Sequence, residues 1–162
     1  MFAPSLRIEL DKITHNARQL RALYGSKGVH LTAVTKCVCG SLDVARALLR
    51  GGIRSLGDAR LANIRKMRAA GLDAQFVLIR SPMLSQVDQV VRWADVSLNT
   101  EVSVIRRLGQ CAAQRGIVHG VVLMVELGDL REGIMPADIE PTVDQIVALG
   151  GVRLVGIGTN LA

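Results

Sequence analysis

The sequence predicts a parallel α/β fold, read as an incomplete (β/α)8 barrel with about six of its eight strands. Three observations carry that reading. Helical and strand-like apolar patterns alternate from one end of the chain to the other. No Gly-x-Gly-x-x-Gly turn follows the first strand, as an open dinucleotide-binding sheet would have. A polar residue closes every strand, at Lys36, Asp58, Arg80, Asn99, Glu126 and Asn160. A barrel gathers its chemistry at that end. Length alone favours an open sheet, because a complete barrel takes about 250 residues. The strand-end pattern outweighs it.

The elements follow in order. Ile13, Ala17, Leu20 and Tyr24 recur at helical spacing, and Asp11 stands where it can cap that first helix. Val29 to Thr35 reads as a strand ending in Lys36. Leu42, Ala45, Leu48 and Leu49 mark a helix stopped by Gly51 and Gly52. Ile53 to Leu56 is a short strand before Gly57 and Asp58, and Leu61, Ile64 and Met67 give the next helix. Phe76 to Ile79 is apolar throughout, as a strand buried on both faces should be. Leu84, Val87, Val90 and Val91 are helical. Asp95 to Leu98 is a strand, and Val102, Ile105, Leu108 and Ala112 a helix. Val121 to Val125 is the fifth strand, Ile139, Val143, Ile146 and Val147 the last helix, and Leu154 to Ile157 the sixth strand. Such alternation requires parallel strands joined by helical crossovers. Residues 1–162 are therefore expected to form a partial barrel domain, its remaining strands and any C-terminal β domain lying outside this chain.

Composition narrows the function. The chain is 49% hydrophobic, enough for one core. It has no apolar stretch of membrane-spanning length and no basic-then-apolar N-terminal leader, so neither a membrane role nor secretion is expected. Cys37, Cys39 and Cys111 are too few for a disulfide framework and imply a reducing, cytoplasmic setting. The Cys-x-Cys pair lacks a matched second pair, so no metal site is expected. The net charge of +6 is spread over single residues and pairs, with no aromatic interleaving. That distribution speaks against nucleic acid and suits either an anionic small ligand or a solvated surface. His15, His30 and His119 have no catalytic partner in the sequence and read as structural or exposed.

Lys36 is the sharpest candidate for chemistry. A lysine ending an apolar strand either snorkels to solvent or forms a Schiff base, for which apolar surroundings and nearby cations favour the neutral amine. Arg131 sits in a loop dense in charge and flanked by Gly128 and Gly133. Its planar fork could clamp a phenolate or carboxylate, or pair with Asp129 or Glu132. Asp58 and Arg60 form a polar cluster, in which Asp58 is either a site residue or a helix cap. Thr159 and Asn160 either hydrogen-bond a ligand or form a strand-end turn.

These residues resemble a known family. Leu31-Thr-Ala-Val-Thr-Lys36, followed by Cys-Val-Cys-Gly40, resembles the first strand and lysine motif of the alanine racemase-like barrels, which use pyridoxal 5′-phosphate (PLP). Ile8-Glu-Leu-Asp-Lys-Ile-Thr-His-Asn16 resembles their opening helix. Leu123-Met-Val-Glu-Leu-Gly-Asp-Leu-Arg-Glu-Gly133 resembles their arginine loop, and Gly156-Ile-Gly-Thr-Asn160 the segment after their sixth strand. The wording around Lys36 and Arg131 is most similar to the ornithine racemase-like branch.

The resemblance implies a PLP-dependent amino-acid racemase as the intact parent. It would act on ornithine or another non-alanine amino acid through an external aldimine and an α-carbanion. Lys36 would hold the cofactor and serve as one proton-transfer base. Arg131 would contact the phenolic oxygen, and Asn160 would stand where many relatives carry a ring-packing histidine. The resemblance further implies a homodimer, a second base from a partner's C-terminal domain, and phosphate-holding residues on later strands. Where alanine-specific relatives carry a phosphate-holding tyrosine, this chain has Gly40, a departure that argues against an alanine racemase proper. A non-catalytic PLP-binding protein and a PLP lyase or decarboxylase are the alternatives on the same barrel.

Overall fold

The computed structural model describes residues 5–161; residues 1–4 and 162 of the predicted domain lie outside the described residues. Helix α1 (Leu10–Gly25) precedes β1 (Thr32–Val34), α2 (Leu42–Arg50), β2 (Ser55–Asp58), α3 (Leu61–Ala69), β3 (Gln75–Leu78), α4 (Val87–Trp93), β4 (Val96–Asn99), α5 (Val102–Gln114), β5 (His119–Val125), α6 (Ile139–Val147) and β6 (Val152–Thr159). The strands form one sheet in the order β1-β2-β3-β4-β5-β6, and every pairing is parallel. This is the predicted incomplete (β/α)8 array.

Several boundary readings change: β1 is shorter than Val29–Thr35, β2 lies two residues later than Ile53–Leu56, and α4 begins at Val87 after a 3-10 turn from Leu84. Helix α1 starts early enough that Glu9 is its N-cap, without a side-chain cap bond, and Asp11 falls inside the first turn. There it complements the helix dipole in place of capping a free N–H. Strands β5 and β6 run longer than their apolar cores suggest. Backbone pairing from His119↔Val152 to Val125↔Thr159 starts both strands two residues earlier and carries β6 on to Thr159.

The sheet has one covered face. Leu56, Phe76 and Leu78 pack with Ile64, Met67, Val87, Val90 and Leu108 from the helices, while Val121 and Leu123 pack with Ile105 and Ile146. On the other face lie Val34, Gly57 and Val77, which share one register row. The edge strands leave that face open, so Val34 is 43% exposed.

The helix layer also holds a polar cluster. His119 is fully buried, with Nε2 2.9 Å from Ser97 Oγ. The Asn99 amide donates to that same Oγ at 2.9 Å, which leaves the serine proton for the imidazole. A neutral ring with its proton on Nδ1, facing the Ala94 carbonyl, satisfies both contacts. Burial lowers the His119 pKa from 6.5 to about 4, against the opposing pull of Asp95 and the Ala94 carbonyl.

A close approach fixes the α5–β6 corner. Gly151 has φ +76°, and a Cβ there would collide with the Gly109 carbonyl of α5. Gly71 has a similar φ of +70° but open space around it.

Two outcomes follow for the full-length protein. The folded state resists protonation of His119, so its contribution is complete above pH 6.5 and is lost as pH falls toward about 4. Unfolding titrations at pH 7.5 and 4.5 should differ by on the order of 2–3 kcal/mol from this group, and His119→Gln should flatten that slope. Gly71→Ala should cost about 1 kcal/mol and Gly151→Ala clearly more, since only the second adds a backbone collision to the strained φ. Equal losses in denaturant midpoint would contradict the packing account.

Candidate active site

Lys36 sits on a tight turn that continues β1. The Thr35 N–H donates to the Gly57 carbonyl at 2.8 Å, extending the sheet ladder by one residue. The chain then winds into a short 3-10 turn, Lys36–Val38. The Thr35 carbonyl accepts from Val38 N at 3.2 Å and Gly40 N at 3.1 Å, and the Lys36 carbonyl accepts from Cys39 N at 3.2 Å. Cys39 and Gly40 both adopt the left-handed region, at φ 50° and 59°. From α3, Lys66 Nζ donates to the Cys39 carbonyl at 2.9 Å. The Lys36 side chain is exposed and makes no ion pair among the described residues.

Gly40 explains its own identity. A Cβ there would lie 2.7 Å from Asn63 Cβ, on a backbone conformation that disfavours any side chain. A tyrosine cannot occupy this position without displacing α3.

The second half of the site is the loop after β5. The Glu126 carboxylate accepts from the backbone N–H groups of Gly128, Leu130 (3.2 Å) and Arg131 (3.1 Å). These bonds, that of Gly128 foremost, hold its pKa below the ordinary carboxylate value. Glu126 is therefore the organiser of the loop. The loop closes where Ile134 N donates to the Met124 carbonyl and Glu126 N to the Ile134 carbonyl, both at 2.9 Å. Gly133 is required there, since a Cβ would strike the Glu126 backbone.

Arg131 rides on this loop with its side chain 56% exposed. Both ion pairs open to it in the sequence are present and long: Nε lies 3.9 Å from Asp129 Oδ2, and Nη2 3.4 Å from Glu132 Oε1. Asn160 Nδ2 donates to the same Glu132 oxygen at 3.3 Å. Glu132 thus joins Arg131 to Asn160. Thr159 is exposed, and its hydroxyl donates to the Asn160 carbonyl at 3.1 Å.

The other strand-end residues lie elsewhere. Asp58 and Asn99 are buried, and their neighbours place them in the helix layer. Arg60 and Arg80 are exposed beside a cleft of about 550 Å³ between the loops after β2 and β3. A larger groove, about 630 Å³, is lined by Arg21, His30 and Gln75 at the opposite end of the strands, away from Lys36. The structure therefore unites Arg131 and Asn160 and sets Lys36 at the same end of the sheet, with β2 to β4 between them.

Two residues escaped the sequence reading. Thr35 and Asn63 both hydrogen-bond Asp58. Period-two alternation could have flagged Thr35, because a strand that exposes Lys36 turns the preceding side chain toward the helices.

The comparisons with known proteins agree with the fold. The family model for the N-terminal domain of alanine racemase matches residues 8–162. The chain is similar to the ornithine racemase of Acetoanaerobium sticklandii, 33% identical over 98% of this chain and 44% of that protein. It is similar to the lysine racemase of Thermotoga maritima, 32% identical over 99% of this chain and again 44% of that protein. It thus spans less than half the length of these two relatives. The fold is similar to that of PipY from Synechococcus elongatus PCC7942, solved with PLP bound, at a TM-score of 0.77 and 22% identity over 90% of this chain and 70% of PipY. The chain belongs to the alanine racemase N-terminal domain family.

Proposed function

We propose that this chain is the cofactor-holding part of a PLP-dependent amino-acid racemase whose substrate is ornithine or another non-alanine, amine-bearing amino acid. One observation carries the proposal. An accessible, unpaired lysine ends β1, and an accessible arginine, joined through Glu132 to Asn160, stands at the same end of the sheet.

The residues present fit the cofactor at two of its ends. Lys36 offers a primary amine free of any ion pair among the described residues, as attachment to an aldehyde requires. Arg131 offers a planar donor fork whose existing partners lie at 3.4 and 3.9 Å, so it can turn to a phenolic oxygen. On β6, Gly156 has open space where a side chain would be.

When bound, PLP supplies an electron sink that acidifies the Cα–H of an attached amino acid. The chain's own residues then have distinct tasks. Lys36 would hold the cofactor and would take or return a proton at Cα from one face. Arg131 would hold the cofactor's phenolic oxygen, and Glu132 and Asn160 position Arg131. Gly40 leaves no room for a phosphate-holding tyrosine, so the phosphate grip belongs to other residues of the intact protein. A base on the opposite face is needed for inversion. We assign it to a partner subunit in a homodimer, with the enzyme working in the cytoplasm, where its three free cysteines stay reduced. The similarity to ornithine and lysine racemases supports a substrate with a second amine.

Borohydride reduction of the full-length protein with PLP, followed by peptide mass spectrometry, should place the adduct on Lys36 and leave Lys36→Ala unlabelled. Labelling of Lys66 or Lys27 in its place would remove the assignment. Chiral chromatography after incubation with single enantiomers of ornithine, lysine, arginine, alanine and serine should show inversion of the basic substrates. Loss of carbon dioxide or release of an aldehyde would indicate a lyase, and no turnover a binding protein. Arg131→Lys should lower kcat by roughly 10- to 100-fold, because one ammonium cannot replace the oriented fork.

A further inference from the structure

We propose that Asp58 is a positioning residue for Lys36, acting from behind the sheet through Thr35 and Asn63. The proposal deepens the PLP-lysine reading and rests on it.

Asp58 ends β2 with no exposure to solvent. Its register partner is Leu78, and the preceding covered positions, Leu56 and Phe76, are apolar. A carboxyl group in that row is costly unless every oxygen is matched. No cation pairs with it among the described residues. Three neutral donors do the matching: Thr35 Oγ1 at 2.7 Å, the Arg60 backbone N–H at 2.8 Å and Asn63 Nδ2 at 3.1 Å. An apolar side chain would fill this space more cheaply, as Leu78 does beside it. The polar cluster therefore needs a reason beyond packing.

Its contacts supply one. Thr35 immediately precedes Lys36, and its carbonyl gathers the N–H groups of Val38 and Gly40 that shape the lysine turn. Its hydroxyl, committed to Asp58, sets the start of the turn. Asn63, held by the other Asp58 oxygen, is the surface against which Gly40 closes, with no room for a Cβ. One turn further along α3, Lys66 holds the Cys39 carbonyl. One carboxyl group thus grips both ends of the Lys36–Gly40 segment and ties it to α3. The direction in which the Lys36 amine leaves the backbone follows from that grip. Proton transfer at a substrate carbon is sensitive to misplacement of about 1 Å.

The test uses the full-length holoprotein and three substitutions. In Asp58→Asn and in Thr35→Val, borohydride-trapped PLP should still map to Lys36, while kcat falls about 10- to 100-fold with little change in KM. The visible circular dichroism of bound PLP, which reports its orientation, should change in both. Thr35→Ser, which keeps the hydroxyl, should restore both signals. The double variant should be no worse than the weaker single one, as members of one network are non-additive. If Asp58→Asn fails to fold, Thr35→Val and Thr35→Ser decide alone. A Thr35→Val protein with a lowered melting temperature but native dichroism and kcat would reduce the cluster to a structural role and overturn the proposal. An adduct that persists in Lys36→Ala would instead overturn the underlying lysine assignment, so the two failures are distinguishable.

Discussion

Parallel pairing between strands consecutive in the chain is the constraint from which the site follows. Each of the five pairings forces a crossover through a helix, and each crossover returns the chain to the same starting edge. All six carboxyl ends therefore arrive at one rim. Lys36, the Arg131 loop and Asn160 are far apart in sequence and share that rim because of the pairing alone. The helices cover one face, and the other is left to face a barrel interior.

The two halves of the rim are held differently. Lys36 is held from the helix layer, where Asp58, Thr35, Asn63 and Lys66 fix the backbone around it and leave its side chain free. Arg131 is held from within its own loop. Glu126 gathers three backbone N–H groups, and Glu132 links the guanidinium to β6. A loop that stores its order in backbone bonds to one carboxylate can present a side chain without burying it. The role proposed for Arg131 requires such a presentation. The helix layer also carries the Ser97–Asn99–His119 cluster, in which burial holds the imidazole below its ordinary pKa.

Much of the architecture was legible in the chain. The apolar run Phe76–Ile79 announced β3, and the spacing of Val102, Ile105, Leu108 and Ala112 announced α5. Gly51 and Gly52 marked the end of α2. The misplaced boundaries share a cause. Strand ends at Val152 and Thr159 are set by hydrogen bonds to β5, which side-chain patterning does not encode. The cap at Glu9 is set by where α1 docks. At the rim, Lys36 and Asn160 stood out because each is polar after an apolar run, and Arg131 because its loop is dense in charge between Gly128 and Gly133. Thr35 and Asn63 did not, because a threonine at a strand end and an asparagine in a helix are ordinary residues until their partner is known.

The sequence by itself determined the order of elements, the direction of the strands and the residues able to do chemistry, since these depend on local periodicity and side-chain type. Only the tertiary structure decided which polar strand ends meet. Asp58 and Asn99 turn inward to the helices, while Arg131 and Asn160 are drawn together by Glu132. The reason is that the face a strand-end side chain occupies depends on register and on the last few backbone torsions. A one-residue shift reverses it. The contacts that fix those torsions come from segments more than twenty residues away, as between Thr35 and Asp58 or Glu132 and Asn160.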